Sequence, residues 1–534
     1  MFSVSQLVFS TRERSAHAIQ AVAGYTRQSL NTVRTNMNNS NFVSDITGYE
    51  SIGAGAQAGG PGVGSGRTKW TLASYLGRVN YTLLDRYLFS LTGRRDGSSR
   101  FGADNRWGFF PAAAVGWRLS EEPFLRDVAM LENLKLRASY GVVGNPSISP
   151  YQSLTRLAPQ QYTFNGTLAP GYQPAAIGNP ELSWESTRQL DFGLDLSLYH
   201  GRVELVADQY RKVTDDLLLS TALPSEVGYS SAFVNAGSIR NRGFELALTL
   251  HAIRGNEATG AFSWSTTVSY AHNRNKVLDL GAVDRIFATT TNSDIGAAGS
   301  VVQVGQPIGA FYGYQTAGLF RDSTTLLAWR ARTRLETGTP GLGNVQYVDV
   351  NGDGVINALD RTVIGDPNPD YTIGWQNTVS LFGFELAGLI DGSFGNQVLN
   401  LNNIRLGGAS PSTNVLRDRV VDAWSVENPD GRWQRIGAGI GQQGQDITQE
   451  LLEDGSYLRL RTVTISRELP ASLLRGRGFT ARAYVTGQNL FTRTDYSGFN
   501  PDVSSLGVGN LNRGVDVGSY PLARTYTFGL NVTY

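Results

Sequence analysis

The feature that most limits what this chain can fold into is a strict alternation of apolar and polar side chains within residues 188–212. An extended strand sends successive side chains to opposite faces, so a period of two makes one face apolar. The apolar positions of the first strand are Leu190, Phe192, Leu194, Leu196 and Leu198. A tight reversal at Tyr199–Arg202 leads into a second strand, whose apolar positions are Val203, Leu205 and Ala207. This hairpin fits a soluble sandwich, which buries the apolar face, or a transmembrane barrel, which turns it to lipid.

The same alternation recurs along the chain and predicts fourteen strands. It is clearest at 244–250, 262–270 and 526–534, where large apolar residues occupy every second position except at Thr266. A break in the pattern near Val463 indicates a β-bulge. The predicted strands lie at about 15–27, 70–84, 87–96, 108–119, 132–142, 187–199, 201–212, 241–252, 261–272, 372–381, 383–393, 456–467, 478–489 and 523–534.

The connections between these strands alternate between short turns and long loops rich in Gly, Asn, Asp, Ser and Pro. This sorting is typical of bacterial outer-membrane barrels, with short periplasmic turns and long extracellular loops. The tract Ser51–Gly66 is predicted to be a flexible loop tip, and the last residue, Tyr534, fits an interfacial aromatic girdle. The sequence therefore predicts an all-β fold, a transmembrane antiparallel β-barrel. Its predicted extracellular loops lie at about 28–69, 143–186, 213–240, 273–371, 394–455 and 490–522.

Composition removes several classes of function. The chain has 534 residues, no cysteine and a net charge of +1, so thiol chemistry is excluded and no bulk charge favours nucleic acid. Apolar runs are too short for a helical membrane span, which leaves a barrel open. The N-terminus lacks the pattern of a signal peptide, so either the protein is cytosolic or the chain is a fragment, and the barrel pattern favours a fragment.

A series of collinear motifs runs from about residue 70 to the C-terminus. Any one of these motifs is weak, but together they are highly specific. The first is Arg94–Gly102 (R-R-D-G-S-S-R-F-G), followed by Trp107–Pro111 (W-G-F-F-P). These resemble the signature of SusC/RagA-type TonB-linked outer-membrane receptors. Further matches are Leu134–Gly141, Gly178–Glu185, Asn235–Glu245, Ile364–Tyr371, Trp424–Pro429, Tyr457–Arg461 and Gly487–Phe491.

This resemblance implies a barrel of about 22 strands with an N-terminal plug and a TonB box. About fourteen of those strands are predicted here, so the chain is interpreted as the C-terminal barrel portion of such a receptor. The resemblance further implies an integral protein of the cell outer membrane that contacts outer-membrane lipid, and not an enzyme. Its implied function is TonB-dependent import of an oligosaccharide or peptide nutrient, with a SusD-like surface lipoprotein as lid and the TonB complex acting through the N-terminal part.

The segment Asp349–Asp360 is the clearest candidate for a metal site. It reads D-x-N-x-D-G-x5-D and resembles a calcium loop. Asp349, Asn351 and Asp353 would supply side-chain oxygens, Val355 its backbone carbonyl and Asp360 a carboxylate. Position 12 is Asp360 instead of the usual Glu, and no helices are predicted to flank the loop, so it is not an EF-hand. The alternative interpretation is a pair of Asn-Gly and Asp-Gly turns in a solvated loop. No other cofactor is indicated.

Other motifs carry weaker signals. Gly439–Gly444 matches G-x-G-x-x-G without the expected strand and helix, so it is interpreted as a flexible loop. Val415, Leu416, Val420, Val421 and Trp424 predict a short amphipathic helix. Packing on neighbouring loops is the favoured interpretation, and docking of a partner is the alternative. The loop aromatics Tyr162, Tyr172 and Trp433 are candidates either for ligand contact or for packing.

Two further functions remain open at this point. One is a secreted all-β carbohydrate-binding or adhesive module with 349–360 as a structural calcium site. The other is a siderophore receptor, which would share the barrel but not the collinear motifs.

Overall fold

The structure is a computed structural model that describes residues 2–10, 16–46, 48–56, 62–222, 228–229, 231–255, 261–287, 299–407, 414–436, 446–470, 480–506, 509 and 511–533. Fifteen strands follow one another in chain order in a single antiparallel sheet. They are Phe2–Ser10, His17–Asn38, Gly62–Leu83, Tyr87–Ser98, Trp107–Arg118, Leu131–Asn145, Glu185–Leu198, Val203–Asp215, Ser238–Ile253, Ser263–Asp279, Tyr371–Leu381, Phe384–Phe394, Tyr457–Glu468, Thr480–Thr494 and Thr525–Thr533.

All fourteen predicted strands are present, but the count of fourteen is wrong by one. The additional strand is Phe2–Ser10, which pairs with the start of His17–Asn38 so that Val8 lies opposite Val22. Its apolar residues occupy even positions before Gln6, but Leu7 and Phe9 occupy odd positions after it. No single face is therefore apolar throughout, and the period of two is lost. The predicted girdle residue Tyr534 and the Gly439–Gly444 motif lie outside the described residues.

The strands flanking the first predicted loop are much longer than their apolar pattern. His17–Asn38 and Gly62–Leu83 stay paired along their whole length, from His17 opposite Leu83 to Asn38 opposite Gly62. The prediction of one flexible tract over Ser51–Gly66 is therefore wrong at both of its ends. Two 3-10 turns joined by a kink at Ser51 span Gly48–Ala54, and residues 62–66 belong to a strand.

The other long connections contain secondary structure of their own. Their strands are Arg156–Phe164, Thr167–Ala176, Leu218–Ala222, Ser231–Asn235, Arg285–Phe287, Ser300–Gln303, Ala310–Tyr314, Thr316–Leu319, Arg334–Leu335, Val345–Tyr347, Val355–Ile356, Arg361–Gly365, Gln397–Asn400, Leu452–Asp454 and Val515–Asp516. The α-helices are Ser323–Arg330, Asn402–Gly407 and Arg417–Val421, and further 3-10 turns are Leu119–Glu121, Ala358–Asp360 and Gln449–Leu451. No helix in the described residues is both long and apolar enough to cross a membrane.

The short turns use left-handed backbone conformations. Leu84 and Asp85 have φ values of 53° and 55°, and Phe382 and Gly383 have 53° and 78°. Two consecutive left-handed residues make the turn whose twist matches that of the flanking strands. These turns therefore fix the register of the hairpins that they close.

The predicted bulge is confirmed, two residues before Val463. Ile390 lies opposite Leu460 whereas Leu389 lies opposite Thr462, so Arg461 is the extra residue. Its guanidinium donates to both carboxylate oxygens of Asp391 at 2.8 Å. The bulge therefore places Arg461 where a two-point ion pair with the neighbouring strand can form.

The chain divides into two compact units. The first comprises residues 1–117, 137–190 and 213–238, and the second comprises 118–136, 191–212 and 239–534. The core of the first unit is a hydrophobic cluster of Phe101, Phe110, Ile148, Leu182 and Trp184. The second unit has two larger clusters built from loop residues: one of Phe311, Leu399, Leu401, Ile404, Ile447, Leu451 and Val515, and one of Tyr314, Phe320, Leu326, Trp329, Leu335, Tyr347 and Ile356.

The alternation within Glu185–Leu198 predicts opposite effects for neighbouring residues. Leu194→Arg places a cation on the apolar face, which costs about 2–4 kcal/mol at the bilayer midplane. Asp195 has a Lys135 ammonium 3.4 Å away on the other face, so Asp195→Asn costs at most about 1 kcal/mol. We expect heat-modifiable gel mobility of the complete receptor to be lost for Leu194→Arg and kept for Asp195→Asn. Wild-type mobility for Leu194→Arg would contradict this orientation.

Candidate functional site

The predicted calcium loop belongs to a small folded module within residues 314–360. Its core is the second loop cluster, in which the rings of Phe320 and Trp329 meet edge to face at 5.4 Å. The helix Ser323–Arg330 begins at Asp322, whose carboxylate accepts a hydrogen bond from the backbone amide of Thr325. The last strand of the module, Val355–Ile356, pairs in parallel with Arg334–Leu335. A packed core thus fixes both ends of the loop.

Within the loop, the side-chain oxygens accept hydrogen bonds from the backbone. Asp349 Oδ1 accepts from the Gly352 amide at 2.7 Å, and Oδ2 accepts from the Gly354 amide at 2.8 Å. Asn351 Oδ1 accepts from the Asp353 amide at 2.9 Å, and Asp353 Oδ1 accepts from the Val355 amide at 2.7 Å. Positive φ values of 76° at Gly352 and 80° at Gly354 allow the chain to fold around these oxygens.

The carboxylate of Asp360 holds the loop together through hydrogen bonds to two backbone amides. It is completely buried, and its Oδ1 accepts from the Val350 amide at 3.0 Å while Oδ2 accepts from the Asn357 amide at 2.9 Å. Asn357 in turn caps the 3-10 turn Ala358–Asp360. A buried carboxylate requires such donors, because an unpaired charge in a core is strongly destabilising.

The structure thus brings the five predicted ligand residues onto one loop, with the carboxylates directed to backbone amides. Among the described residues, no group of three or more His, Cys, Asp or Glu side chains is arranged to hold a metal ion. The donor set is nevertheless all oxygen, the kind that Ca²⁺ prefers. Calcium binding by Asp349, Asn351, Asp353, Val355 and Asp360 stays a prediction beside the double-turn interpretation.

A proteolysis experiment distinguishes these interpretations. If calcium binds, chelator increases cleavage near 349–360, and Asp349→Ala/Asp353→Ala makes cleavage independent of calcium. Asp430→Ala, at an exposed loop position, serves as the control and keeps the wild-type response. If millimolar calcium leaves the wild-type cleavage pattern unchanged, the loop is a pair of backbone turns, because carboxylate–amide bonds need no cation.

A buried polar contact joins this module to a distant loop. The Tyr347 hydroxyl donates to Asp446 Oδ2 at 3.2 Å, and the Trp329 indole donates to the Tyr347 carbonyl at 3.1 Å. Burial raises the pKa of Asp446, and burial beside Asp446 also raises the pKa of Tyr347. The guanidinium of Arg361 lies 5.1 Å from the Tyr314 ring centroid and favours the ionised form of Asp446. No sequence motif marks Tyr347 and Asp446, which are 99 positions apart.

This contact predicts a pH-dependent stability of the module. Because the pKa of Asp446 is raised on folding, its contribution is greatest at low pH and declines as the pH rises through its folded pKa. Tyr347→Phe removes the donor that stabilises the carboxylate and should cost about 1.5–3 kcal/mol at neutral pH, and less in acid. Hydrogen exchange of the 345–347 amides would measure this, with Tyr520→Phe at an exposed site as control. Equal effects at both pH values would contradict the assignment.

The motifs shared with outer-membrane receptors have structural roles in the first unit. The ring of Trp184 packs 5.4 Å from Phe101 and 5.2 Å from Phe110, measured between centroids. Arg94 donates to Asp96 at 2.8 Å and to Ser74 Oγ at 3.0 Å. These motif residues therefore build a core and an ion pair at the ends of neighbouring strands.

The three loop aromatics have different surroundings. Tyr162 and Tyr172 lie on the exposed hairpin 156–176, where the Tyr162 hydroxyl donates to the Tyr172 carbonyl at 3.3 Å. Trp433 carries two guanidinium groups on its ring, that of Arg419 at 3.2 Å and that of Arg432 at 4.7 Å from the centroid. Burial, together with repulsion from Arg432, lowers the pKa of Arg419 to about 10.

The short helix predicted around 415–424 is present as Arg417–Val421, but its predicted packing is largely wrong. Leu416, Val420 and Val421 are 45%, 52% and 65% exposed, and Trp424 is buried at 5%. Trp424 lies against Gly343, where an added Cβ would come within 2.3 Å of the indole. The loop therefore anchors through Trp424 and leaves the helix on the surface.

The collinear motifs, the fifteen-stranded antiparallel sheet and the folded loops agree with a match to the family model "TonB dependent receptor-like, beta-barrel" over residues 5–404. The chain belongs to this family. It is a family of outer-membrane β-barrel transporters and not of enzymes, which removes the secreted-module alternative.

Comparison with individual proteins agrees with a SusC/RagA-like member. TonB-dependent receptor P3 of Formosa agariphila is 34% identical over 526 residues, which cover 97% of this chain and 51% of that protein. TonB-dependent receptor SusC of Bacteroides thetaiotaomicron is 30% identical over 485 residues, which cover 88% and 44%. The solved structure of the RagAB peptide transporter matches with a TM-score of 0.80 at 23% identity, over 99% of this chain and 54% of that one. The chain spans about half the length of the curated relatives that it matches.

Proposed function

We propose that this chain is the C-terminal barrel portion of a receptor that imports a glycan or peptide nutrient across the outer membrane. The proposal rests on one observation: a TonB-dependent receptor aligns with 97% of this chain and is 34% identical to it. Energy would come from the TonB complex, acting through the N-terminal part that such receptors carry. The chain's own contribution is a lipid-facing wall and a set of folded loops that contact the ligand.

A SusD-like lipoprotein is the proposed partner over the loops. Support comes from two relatives, one named SusC and one solved as part of the RagAB peptide transporter. The exposed helix Arg417–Val421, with Leu416 beside it, offers an apolar surface of the kind that interfaces bury. Co-purification of the full-length receptor with its neighbouring lipoprotein, before and after Val420→Asp, would test this contact.

Import itself is tested by deletion and complementation. A strain that lacks the full-length receptor should stop growing on one class of purified oligosaccharide or peptide and grow normally on glucose. A proton uncoupler should abolish uptake of the same compound, because transport by this family needs energy from the inner membrane. Uptake that is unaffected by deletion across the whole panel would contradict the proposal.

The stack of Arg419, Trp433 and Arg432 favours an anionic ligand. Among the described residues, neither guanidinium has a carboxylate within ion-pair distance. Two like charges on one ring repel each other, so a bound oxyanion would relieve the repulsion and accept several hydrogen bonds. The carboxylate of a peptide C-terminus or of a uronate sugar has this chemistry.

Arg432→Gln should therefore discriminate between charged and neutral ligands. We expect uptake of a peptide with a free C-terminal carboxylate, or of a uronate oligosaccharide, to fall about tenfold. Uptake of the amidated peptide, or of the carboxyl-reduced sugar, should not change. Arg417→Gln removes an exposed charge from the helix that carries Arg419 and is the matched control. An equal loss for charged and neutral forms would contradict the anionic ligand while leaving import itself intact.

A further inference from the structure

A cavity of about 310 Å³ lies on the sheet of the second unit, near the ends of three consecutive strands. Its lining consists of Gln209, Tyr210, Arg242, Gly243, Phe244, His272 and Arg274. Three of the seven residues are basic and none is acidic. The residues come from the strands 203–215, 238–253 and 263–279, close to where these strands meet the connections 216–237 and 280–370.

Hydrogen bonds identify the face of the sheet on which the basic side chains lie. The side-chain amides of Asn273 and Asn275 both donate to Asn241 Oδ1, at 3.2 and 2.9 Å. Asn275 Oδ1 accepts from the Ile308 amide of a loop at 2.8 Å. These odd-numbered residues therefore share the face that meets the loops. Because side chains alternate, Arg242, His272 and Arg274 lie on the opposite face.

That opposite face is the apolar one. Along 238–253 it continues from Arg242 through Phe244, Leu246, Leu248 and Leu250, and along 263–279 it runs through Tyr270, Val268 and Trp264 to the other end of the strand. Phe244, Val268 and Trp264 are 40%, 41% and 37% exposed. In an outer-membrane barrel this face contacts lipid, so the basic residues stand on the lipid-facing surface at the end of the apolar band.

An aromatic girdle separates the basic residues from the apolar band. The rings of Tyr270 and Tyr371 stack with centroids 5.7 Å apart, and those of Tyr371 and Phe394 stack at 5.0 Å. Aromatic girdles lie at the boundary between hydrocarbon and headgroups. Arg274 is four positions beyond Tyr270, which places it about 13 Å further along the strand. This is the depth of lipid headgroups.

The basic residues extend beyond the cavity. Alternation puts further cations on the same face, and the complete basic belt is Arg211, Arg240, Arg242, His272, Arg274 and Lys276. Arg211, Arg242, Arg274 and Lys276 are exposed, and in the described part of the chain none of the belt residues has an ion-pair partner. His272 Nδ1 lies 2.5 Å from the Asp370 carbonyl, which holds its ring at the cavity wall.

We propose that this basic belt binds the phosphate group of a glycolipid in the outer leaflet of the membrane. A phosphate ester offers three oxygens, which match the forked donors of Arg242 and Arg274 across the cavity. The acyl chains of the same lipid would lie along Phe244, Leu246 and Leu248. The site thus combines charge complementarity at the headgroup with apolar contact below, and it lies on the face away from the loops that would contact the imported ligand.

The proposal is tested with the full-length receptor in nanodiscs of phosphatidylcholine. The probe is lipid A, compared with lipid A from which the phosphate has been removed enzymatically, and bound lipid is counted by native mass spectrometry. We expect the wild-type receptor to retain the phosphorylated form selectively. Arg242→Gln/Arg274→Gln should weaken this binding about 30-fold, and Arg242→Lys/Arg274→Lys should restore most of it.

The matched control is Arg332→Gln/Arg334→Gln, which removes two exposed charges from a loop of the same unit and should bind lipid A normally. Three results would overturn the proposal: equal binding of the dephosphorylated lipid, unchanged binding by the glutamine variant, or full displacement by millimolar inorganic phosphate, which would indicate a site for the free ion. If the glutamine variant no longer binds the surface lipoprotein but still binds lipid A normally, the basic belt is a contact for that protein and not for lipid. If the glutamine variant does not assemble, the binding of lipid A and of dephosphorylated lipid A to the wild-type receptor still tests whether the phosphate is recognised.

Discussion

The structure depends on one constraint, that every backbone amide and carbonyl inside a bilayer must be hydrogen-bonded within the protein. An unpaired group in hydrocarbon costs several kcal/mol, so strands can cross only as members of a continuous ladder. The fifteen-stranded order, in which each strand pairs with its neighbours in sequence, satisfies this requirement locally. Residues such as Phe382 and Gly383 adopt left-handed conformations so that the ladder can reverse at once. Irregular backbone is confined to connections, where water or a folded core can satisfy it.

Most of the sheet could be predicted from sequence because lipid imposes an apolar residue at every second position. The predicted strand bounds are wrong where a strand does not face lipid and so needs no apolar residue at every second position. Asn31–Asn38 and Gly62–Lys69 form paired strands with almost no apolar pattern, because a ladder in water needs only backbone partners. The strand Phe2–Ser10 was missed for a related reason, since its apolar residues change phase. The bulge near Val463 was visible because an extra residue shifts the phase of alternation.

The candidate site was less predictable, since its chemistry comes from residues far apart in sequence. The spacing of Asp349, Asn351, Asp353 and Asp360 marks a loop, but both a calcium site and a double turn place oxygens at these positions. Nothing in the sequence pairs Tyr347 with Asp446, or places Arg419 over Trp433. Trp433 was recognised only as an aromatic residue in a loop. The two arginines could have been noticed as cations close to it in sequence, although their stacking depends on how the loop folds.

The cluster of Phe311, Leu399, Ile447 and Val515 joins three connections that are far apart in the chain. The cluster around Phe320, Trp329 and Tyr347, by contrast, is built within a single connection and includes one edge of the Asp349–Asp360 loop. That connection carries a hydrophobic core of its own, and the Tyr347–Asp446 hydrogen bond joins it to a second loop. Such a module can accumulate substitutions, or be exchanged between related receptors, under selection for what it binds. The strands remain under a separate selection from lipid and from barrel assembly, so recognition and membrane insertion can evolve at different rates in one chain.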